Sequence, residues 1–141
     1  MRIVLLVVGL MAVGLGRAAA DAAGPPASRP PELKLALDVT ITTTVCVEGL
    51  KRTFKDPRPD GSDYGFPSGD ATLAFALASV ASEYHPKQRA LWYLVAAAVA
   101  CSRVWRGAHD WEDVIGGAAL GTLIGQQAAS SGGIVLVKVD W

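Results

Sequence analysis

The chain has 141 residues, 51% of them hydrophobic, and its 13 Lys and Arg residues are balanced by 13 Asp and Glu. A chain of this length allows one small domain. Nucleic-acid-binding surfaces carry a strong positive surplus, and this composition has none. The sequence therefore indicates a small, largely apolar domain that does not take nucleic acid as its partner.

The first 20 residues have the pattern of a secretory signal peptide. Arg2 precedes an apolar stretch over residues 3–15, and Arg17 is followed by three alanines before Asp21. A basic start, a short apolar core and a small-residue cleavage site are typical of such peptides, and the stretch is shorter than the roughly 20 residues that span a bilayer. We expect cleavage and export to a periplasm or the cell exterior, with a retained membrane anchor as the alternative. Cleavage after residue 20 would leave 11 basic against 13 acidic residues.

The next two segments are a flexible leader and an ambiguous ordered region. Residues 21–32 are rich in proline, alanine and glycine and are predicted to be flexible. Residues 33–51 hold many β-branched side chains, which favour a strand, but they also hold apolar residues at a four-residue helical step. Those apolar residues are Leu33, Leu37, Ile41 and Val45. We predict a helix, because the remainder of the chain has helical patterns.

A loop and three further helices follow. Residues 55–67 hold three prolines and two glycines, which predict a loop. Ser68 is suited to begin a helix that runs to Tyr84. The other helices are predicted from about Lys87 to Trp105, before Gly107, and from near Asp110–Asp113 to about Ala128.

The predicted helices are apolar on nearly all sides, as in helices buried in a protein core or in lipid. Gly117, Gly121 and Gly125 repeat every four residues, a spacing that lets another backbone approach closely. We therefore predict an all-α fold over residues 33–133, a tightly packed helical bundle, with an integral membrane bundle as the open alternative. Residues 134–141 resemble a short strand to which no role is assigned.

The chain's only cysteines, Cys46 and Cys101, leave two alternatives open. An exported protein can pair them in a disulfide, whereas free cysteine is also common in apolar segments like these. Neither histidine has a cysteine or histidine neighbour at metal-ligand spacing. We predict no metal and no other cofactor.

Several residues far apart in the chain are suited to binding an oxyanion. A helix N-terminus binds anions, because its N–H groups are unpaired and carry a partial positive charge, and Ser68 and Gly69 lie at such a terminus. Lys51, Arg58 and Arg103 can close around the same anion, the arginines with paired donors. A phosphoryl group in transfer spreads negative charge over its oxygens, so fixed cations stabilise it.

His109 and Asp113 supply a nucleophile and a group to orient it. They are four residues apart, so on a helix they would share one face and the carboxylate would reach a ring nitrogen. That hydrogen bond fixes the tautomer and leaves the other nitrogen free to attack. Taken alone, a histidine with an acid four residues later is more often an exposed ion pair, and an arginine at the end of an apolar helix usually extends its charged group to solvent. Their co-occurrence in one short chain is what indicates a site.

The order and spacing of these residues resemble the type 2 phosphatidic acid phosphatase family, which shares its site with bacterial class A acid phosphatases and vanadium haloperoxidases. The family pattern is Lys, six residues, Arg-Pro; then Pro-Ser-Gly-His; then Ser-Arg, five residues, His, three residues, Asp. The matching residues here are Lys51, Arg58-Pro59, Pro67-Ser68-Gly69, Ser102-Arg103, His109 and Asp113. The resemblance covers about residues 45–128 and departs from the pattern at Asp70.

The resemblance implies a chemistry for each matching residue. The phosphate-binding residues would be Lys51, Arg58, Ser68, Gly69 and Arg103. His109 would be the nucleophile that forms a phosphohistidine, and Asp113 would orient it. Family members are all-helical, need no metal, and hydrolyse phosphate monoesters or pyrophosphate-type bonds, often of lipids. The implied substrate is a phosphate ester, with phospholipids included.

Asp70 stands where the family has a histidine that protonates the leaving oxygen. Aspartate side chains are normally ionised at neutral pH, and neighbouring cations stabilise the charged form. We therefore expect a phosphatase that is weak or active mainly in acid, with Asp70 still counted as a catalytic residue. The alternatives are a degenerate binder of phosphate or phospholipid headgroups and a membrane-integral lipid phosphatase. A haloperoxidase is least favoured, because nothing indicates a peroxide or halide site.

Family members usually carry more helices before the first motif than this chain has before Lys51. We therefore expect an N-terminally reduced bundle. A small core is marginally stable alone, so a membrane surface or a homodimer is expected to complete it.

Overall fold

The structure, a computed structural model, describes residues 30–54, 57–59, 61 and 64–133. Its elements are α1 (Glu32–Phe54), α2 (Gly69–Tyr84), a 3₁₀ turn (Pro86–Gln88), α3 (Arg89–Trp105) and α4 (Trp111–Ser131). No strand occurs within these described ranges. The predicted all-α fold is therefore confirmed, and so are the four predicted helices.

The predicted termini fall mostly beyond this part of the chain. The predicted signal peptide (1–20), the tail (134–141) and residues 21–29 of the predicted leader lie outside the described residues. Glu32, the last residue of the predicted leader, is the first residue of α1. The carbonyl of Pro31 accepts hydrogen bonds from the amides of Lys34 and Leu35, which begins the helix one residue earlier than predicted.

Helix α1 forms in spite of its β-branched residues, because one of its faces is buried against α2 and α4. The buried residues follow the helical period and are Leu35, Val39, Thr42, Thr43, Val47 and Lys51. Helix propensity differs by only about 0.7 kcal/mol per ordinary residue, so packing outweighs it. The apolar series from Leu33 to Val45 that indicated a helix lies on the opposite face, where each side chain is 53–71% exposed.

The contact between α2 and α4 is a seam of small residues. The three glycines spaced four apart on α4 face successive turns of α2. They are Gly117 against Ser68 and Thr72, Gly121 against Thr72 and Ala76, and Gly125 against Ala76 and Ser79. Contacts advance in the same direction along both helices, so α2 and α4 run parallel. The predicted close approach of another backbone to these glycines is confirmed.

The four helices are arranged so that one end of each lies at the same end of the bundle. Oε2 of Glu32 lies 3.3 Å from Nε2 of His85, so the start of α1 lies beside the end of α2. Arg103 and Asp70 are 3.0 Å apart, so the end of α3 lies beside the start of α2. Helices α1 and α3 therefore run antiparallel to α2 and α4, and their C-terminal ends meet the N-terminal ends of α2 and α4.

Two apolar clusters form the core. The larger lies between α1, α2 and α4 and consists of Leu35, Val39, Ala76, Val80, Ile124 and Ala128. The smaller joins α2, α3 and α4 through Ala71, Ala100 and Val114. Because Ala71 and Val114 lie in the first turns of α2 and α4, the smaller cluster supports the end of the bundle where the helix ends meet.

The two cysteines are not bonded to each other. Cys46 on α1 is partly buried, and Cys101 on α3 is exposed. Cys46 packs against the larger apolar cluster. Of the two alternatives that the sequence left open, the structure contains the free thiols.

Apolar side chains are also exposed outside α1. Those that are more than half exposed are Leu91, Leu94, Val95 and Trp105 on α3 and Trp111 and Ile115 on α4. Of these, Leu91, Leu94 and Val95 share one face of α3 by their helical spacing. Among the described helices, none has the length and hydropathy needed to cross a membrane.

The glycine seam predicts a large difference between two Gly→Ala substitutions. In Gly121→Ala the new Cβ would overlap the carbonyl oxygen of Thr72, so we expect the free energy of unfolding to fall by about 1–3 kcal/mol or more. Gly49→Ala on α1 is the matched control, because nothing lies within 4 Å of its Cβ. There we expect a gain of up to about 1 kcal/mol. Urea unfolding of both variants measures the difference, and equal losses would contradict the seam.

Candidate functional site

A cavity of about 290 Å³ opens where the four helix ends meet. Six predicted site residues line it, namely Lys51, Arg58, Gly69, Asp70, Arg103 and His109. The remaining lining residues are Thr43, Thr44, Val47, Glu48 and Leu73. Two predicted site residues, Ser68 and Asp113, do not line the cavity but contact its lining residues or their helices. The structure therefore brings together residues that are up to 58 positions apart in the sequence, from 51 to 109.

His109 is buried, with 3% of its surface exposed, and it lies in the loop before α4 rather than on the helix. His109 thus lies one residue before the N-cap of α4, Asp110, and its side chain meets that of Asp113 from there. The ring Nδ1 lies 2.9 Å from Oδ2 of Asp113. Because an ionised carboxylate only accepts hydrogen bonds, this contact places a proton on Nδ1, and in the neutral ring Nε2 then carries the lone pair.

Asp113 is itself held by two segments of the chain. Its Oδ2 also accepts a hydrogen bond from the amide of Asp110 at 3.2 Å, and its backbone carbonyl accepts one from the amide of Ser68 at 3.0 Å. A carboxylate in the first turn of α4 is further stabilised by the partial positive charge of the helix N-terminus. The orientation of His109 is therefore fixed through Asp113 to the start of α2.

Ser68 is fully buried and is the N-cap of α2. Its Oγ accepts a long hydrogen bond of 3.5 Å from the amide of Ala71, and its carbonyl accepts one of 2.7 Å from the hydroxyl of Thr72. The Ser68 side chain thus stabilises the helix start. Gly69, the next residue, lines the cavity.

Three cations line the cavity, and two of them have buried N–H groups without a hydrogen-bond partner in the described residues. These groups are the Nε atoms of Arg58 and Arg103. The Nε of Arg103 is 3.0 Å from Oδ2 of Asp70, but the N–H bond does not point at that oxygen, so this is an ion pair without a hydrogen bond. The Lys51 ammonium donates to the carbonyl of Tyr64 at 2.9 Å. Free guanidinium N–H groups beside a cavity are donors for an oxyanion.

Burial lowers the pKa of Lys51 below its usual 10.5, and the positive charge of Arg58 lowers it further. The charges of Glu48, Asp113 and Asp70 act in the opposite direction. The folded chain therefore holds this proton less tightly than the unfolded chain, and the Lys51 charge opposes folding at neutral pH. This cost disappears as the pH rises from the lowered folded-state pKa through 10.5. A bound anion would favour the charged form and offset that cost.

Some residues at the cavity were not predicted from the sequence. Glu48 and Thr43 lie on the face of α1 that carries Lys51, and the helical spacing of 43, 44, 47, 48 and 51 is the signal that identifies them once α1 is known to be a helix. Tyr64 contributes its carbonyl and has a φ of 70°. That left-handed conformation is rare for a bulky residue, and no sequence signal at this position indicates it.

The arrangement suits an imidazole nucleophile beside a bound tetrahedral oxyanion. Three cations and the N-terminal ends of α2 and α4 supply positive potential, and a buried carboxylate orients the imidazole. Among residues 30–54, 57–59, 61 and 64–133, no group of three or more His, Cys, Asp or Glu is placed to hold a metal ion.

Comparison with known proteins finds one family model and one curated relative that match this chain. The sequence model of the PAP2 superfamily matches residues 33–131, from the second residue of α1 to the last residue of α4. A Bacillus licheniformis protein named bacitracin transport permease protein BcrC is 41% identical over 61 residues, which are 43% of this chain and 30% of that relative. The matched region is thus less than a third of the relative. No solved structure matches this chain.

The environment of Lys51 gives a prediction that NMR can check. Titration of the Lys51 side-chain carbon next to the ammonium should give a pKa below 10.5, and Arg58→Gln should raise that pKa, because it removes a neighbouring positive charge. Arg52→Gln on the exposed side of α1 is the control and should leave the value nearly unchanged. A wild-type pKa at or above 10.5, or a fall in Arg58→Gln, would show that the two cations do not face one another.

Proposed function

The chain belongs to the PAP2 superfamily, and from that premise we propose that it is a metal-independent phosphatase that hydrolyses phosphate esters through a phosphohistidine at His109. Superfamily membership supports a phosphatase-type activity. The observation that carries the finer proposal is the position of His109. Its Nδ1 is bound by Asp113 at 2.9 Å, and its ring lines a cavity with three cations.

In the first half of the proposed reaction, the lone pair on Nε2 of His109 attacks phosphorus and the bond from phosphorus to the leaving oxygen breaks. Lys51, Arg58 and Arg103 stabilise the charge on the equatorial oxygens, together with the amides in the first turn of α2 at Gly69. Asp113 stabilises the positive charge that develops on the ring. In the second half, water attacks phosphorus, the phosphorus–nitrogen bond breaks, and phosphate leaves.

Asp70 is proposed as the group that gives a proton to the leaving oxygen and later takes one from the attacking water. It lines the cavity, and its side chain is 56% exposed. An ionised Asp70 paired with Arg103 cannot donate a proton, so the first half-reaction needs the protonated carboxyl. Aspartate side chains are ordinarily ionised at neutral pH, so turnover is expected mainly in acid.

The same ion pair favours one alternative function. An Asp70 that remains paired with Arg103 at 3.0 Å neutralises one of the three cations. The same ionised Asp70 also cannot act as the proton donor. The cavity would then bind phosphate or a phospholipid headgroup without hydrolysing it. Exposed ion pairs contribute little, about 0–1 kcal/mol, so an incoming oxyanion can displace Asp70 from Arg103. That weakness is why we favour the enzyme over the binder.

We further propose that the protein is exported, with residues 1–20 as the signal peptide. A membrane location is the alternative, and two observations support it. One is the apolar surface exposed on α1, α3 and α4. The other is the similarity to a relative that is named a transport permease, a word for proteins that act at membranes. A phosphate ester, phospholipids included, is the proposed substrate under either location.

Trapping the intermediate tests the nucleophile. After brief reaction with an aryl phosphate and an alkaline quench, we expect the intact protein to gain the mass of one phosphoryl group. The gain should be absent in His109→Ala and retained in His85→Ala, which changes the chain's other histidine. Asp113→Asn should slow its appearance by about 10²- to 10⁴-fold, because the ring loses its orienting partner. A phosphoryl gain that persists in His109→Ala would rule out this nucleophile.

The pH dependence of turnover tests Asp70. With an aryl phosphate, wild-type kcat should rise as the pH falls from 8 to 4, because protonated Asp70 is required. At pH 7, Asp70→His should be faster than wild type by about 10²-fold or more, since general acid catalysis contributes about 10²- to 10⁴-fold. Asp70→Asn, which removes the charge but cannot donate a proton in this way, is the matched control. If Asp70→His gives no gain over Asp70→Asn, the acid role is wrong.

A further inference from the structure

The cavity is longer than a phosphate requires. Its lining follows α1 back from Lys51 through Glu48 and Val47 to Thr43. Eight residues of α-helix cover about 12 Å, so this wall extends about 12 Å from the cationic end. Leu73, one turn into α2, also lines the cavity. The far end therefore has room for the group to which the phosphate is esterified.

Thr43 at this far end has a buried hydroxyl with no partner. The residue is 2% exposed, and its Oγ1 has no hydrogen bond within the described residues. Other threonine hydroxyls on the same helix, at Thr40, Thr44 and Thr53, bond to the carbonyl four residues earlier. Thr42 lacks a partner too, but it does not line the cavity. A buried hydroxyl without a partner costs free energy, which a ligand atom at Thr43 would recover.

Glu48, about one turn before Lys51 on the same wall, gives the cavity a negative charge between the cationic end and Thr43. Its side chain lines the cavity, and no ion pair or hydrogen bond to its carboxylate occurs in the described residues. It is near enough to Lys51 to raise the pKa of that ammonium. The other acidic lining residue, Asp70, is paired with Arg103. Glu48 is therefore the carboxylate that remains available to a ligand.

We propose that Thr43 and Glu48 form a subsite for the leaving group, which selects alcohols that carry an ammonium or hydroxyl group. Leaving groups with their own negative charge, such as a second phosphate, are disfavoured, because the carboxylate repels them and the hydroxyl alone does not compensate. The subsite rests on the proposed function, because it takes the cationic end as the place of the phosphate.

Binding to a catalytically inactive protein tests this without requiring turnover. In the His109→Ala chain, calorimetry at pH 7 compares inorganic phosphate, ethanolamine phosphate and pyrophosphate. Adding Glu48→Gln should weaken the binding of ethanolamine phosphate and strengthen the binding of pyrophosphate. Each affinity should change by about three- to tenfold relative to that of inorganic phosphate. Adding Thr43→Val should lower the affinity for ethanolamine phosphate by about threefold or more without lowering the affinity for inorganic phosphate. Glu32→Gln, the same change at the far end of α1, should alter none of these ratios.

The outcomes separate the two proposals. If inorganic phosphate binds but Glu48→Gln and Thr43→Val leave the ratios unchanged, the subsite is wrong and the phosphatase proposal stands. If inorganic phosphate itself does not bind, the cationic end is not a phosphate site and both proposals are overturned. Because Glu48 is exposed and Thr43→Val replaces an unpaired hydroxyl with a methyl group of similar size, thermal unfolding should show both variants folded. Opposite shifts for ethanolamine phosphate and pyrophosphate are the result that supports the subsite.

Discussion

The parallel contact between α2 and α4 is the constraint on which the site depends. Glycines at 117, 121 and 125 let the two backbones approach until no Cβ fits between them. That approach brings the start of α2 to the start of α4, where the amide of Ser68 donates to the carbonyl of Asp113 at 3.0 Å. A wider spacing would move His109 away from the anion-binding residues, and misplacement by about 1 Å can cost 10²-fold in rate.

The same packing sets the electrostatics of the cavity. Helix C-termini favour cations and helix N-termini favour anions. Lys51 and Arg103, in the last turns of α1 and α3, are thus well placed, and so are Asp70 and Asp113 in the first turns of α2 and α4. What is unfavourable is the crowding of like charges, which with burial lowers the pKa of Lys51.

Asp70 partly compensates for this crowding. Its contact with Arg103 neutralises one cation when no oxyanion is bound. The compensation is incomplete, because the buried Nε–H groups of Arg58 and Arg103 still have no hydrogen-bond partner in the described residues. Function and stability oppose one another at such a site, since the cations that would bind phosphate destabilise the empty fold. A residue that moves between pairing with a cation and serving the reaction is consistent with a slow, acid-dependent enzyme.

Local patterns in the sequence predicted the helices, whereas the convergence of the cavity residues was expected from their co-occurrence and from the resemblance to a known family. The sequence did not predict which face of α1 is buried, since the face is chosen by the neighbouring helices and the apolar series from Leu33 to Val45 has none in the described structure. The contact of His109 with Asp113 was expected from helical spacing, whereas the turn before α4 is what holds the ring against Asp113. The roles of Glu48 and Thr43 depend on the long-range packing of α1 against α2, which no local pattern specifies.

The most direct test of the central claim is a ¹⁵N NMR measurement of the His109 ring with and without vanadate, an oxyanion that mimics the phosphoryl group. The account predicts that the neutral ring carries its proton on Nδ1 and not on Nε2, and that the Nε2 resonance shifts strongly when vanadate is added. Arg103→Ala should weaken that response. A proton found on Nε2, or an Nε2 resonance that vanadate leaves unmoved while vanadate binds elsewhere, would contradict the account.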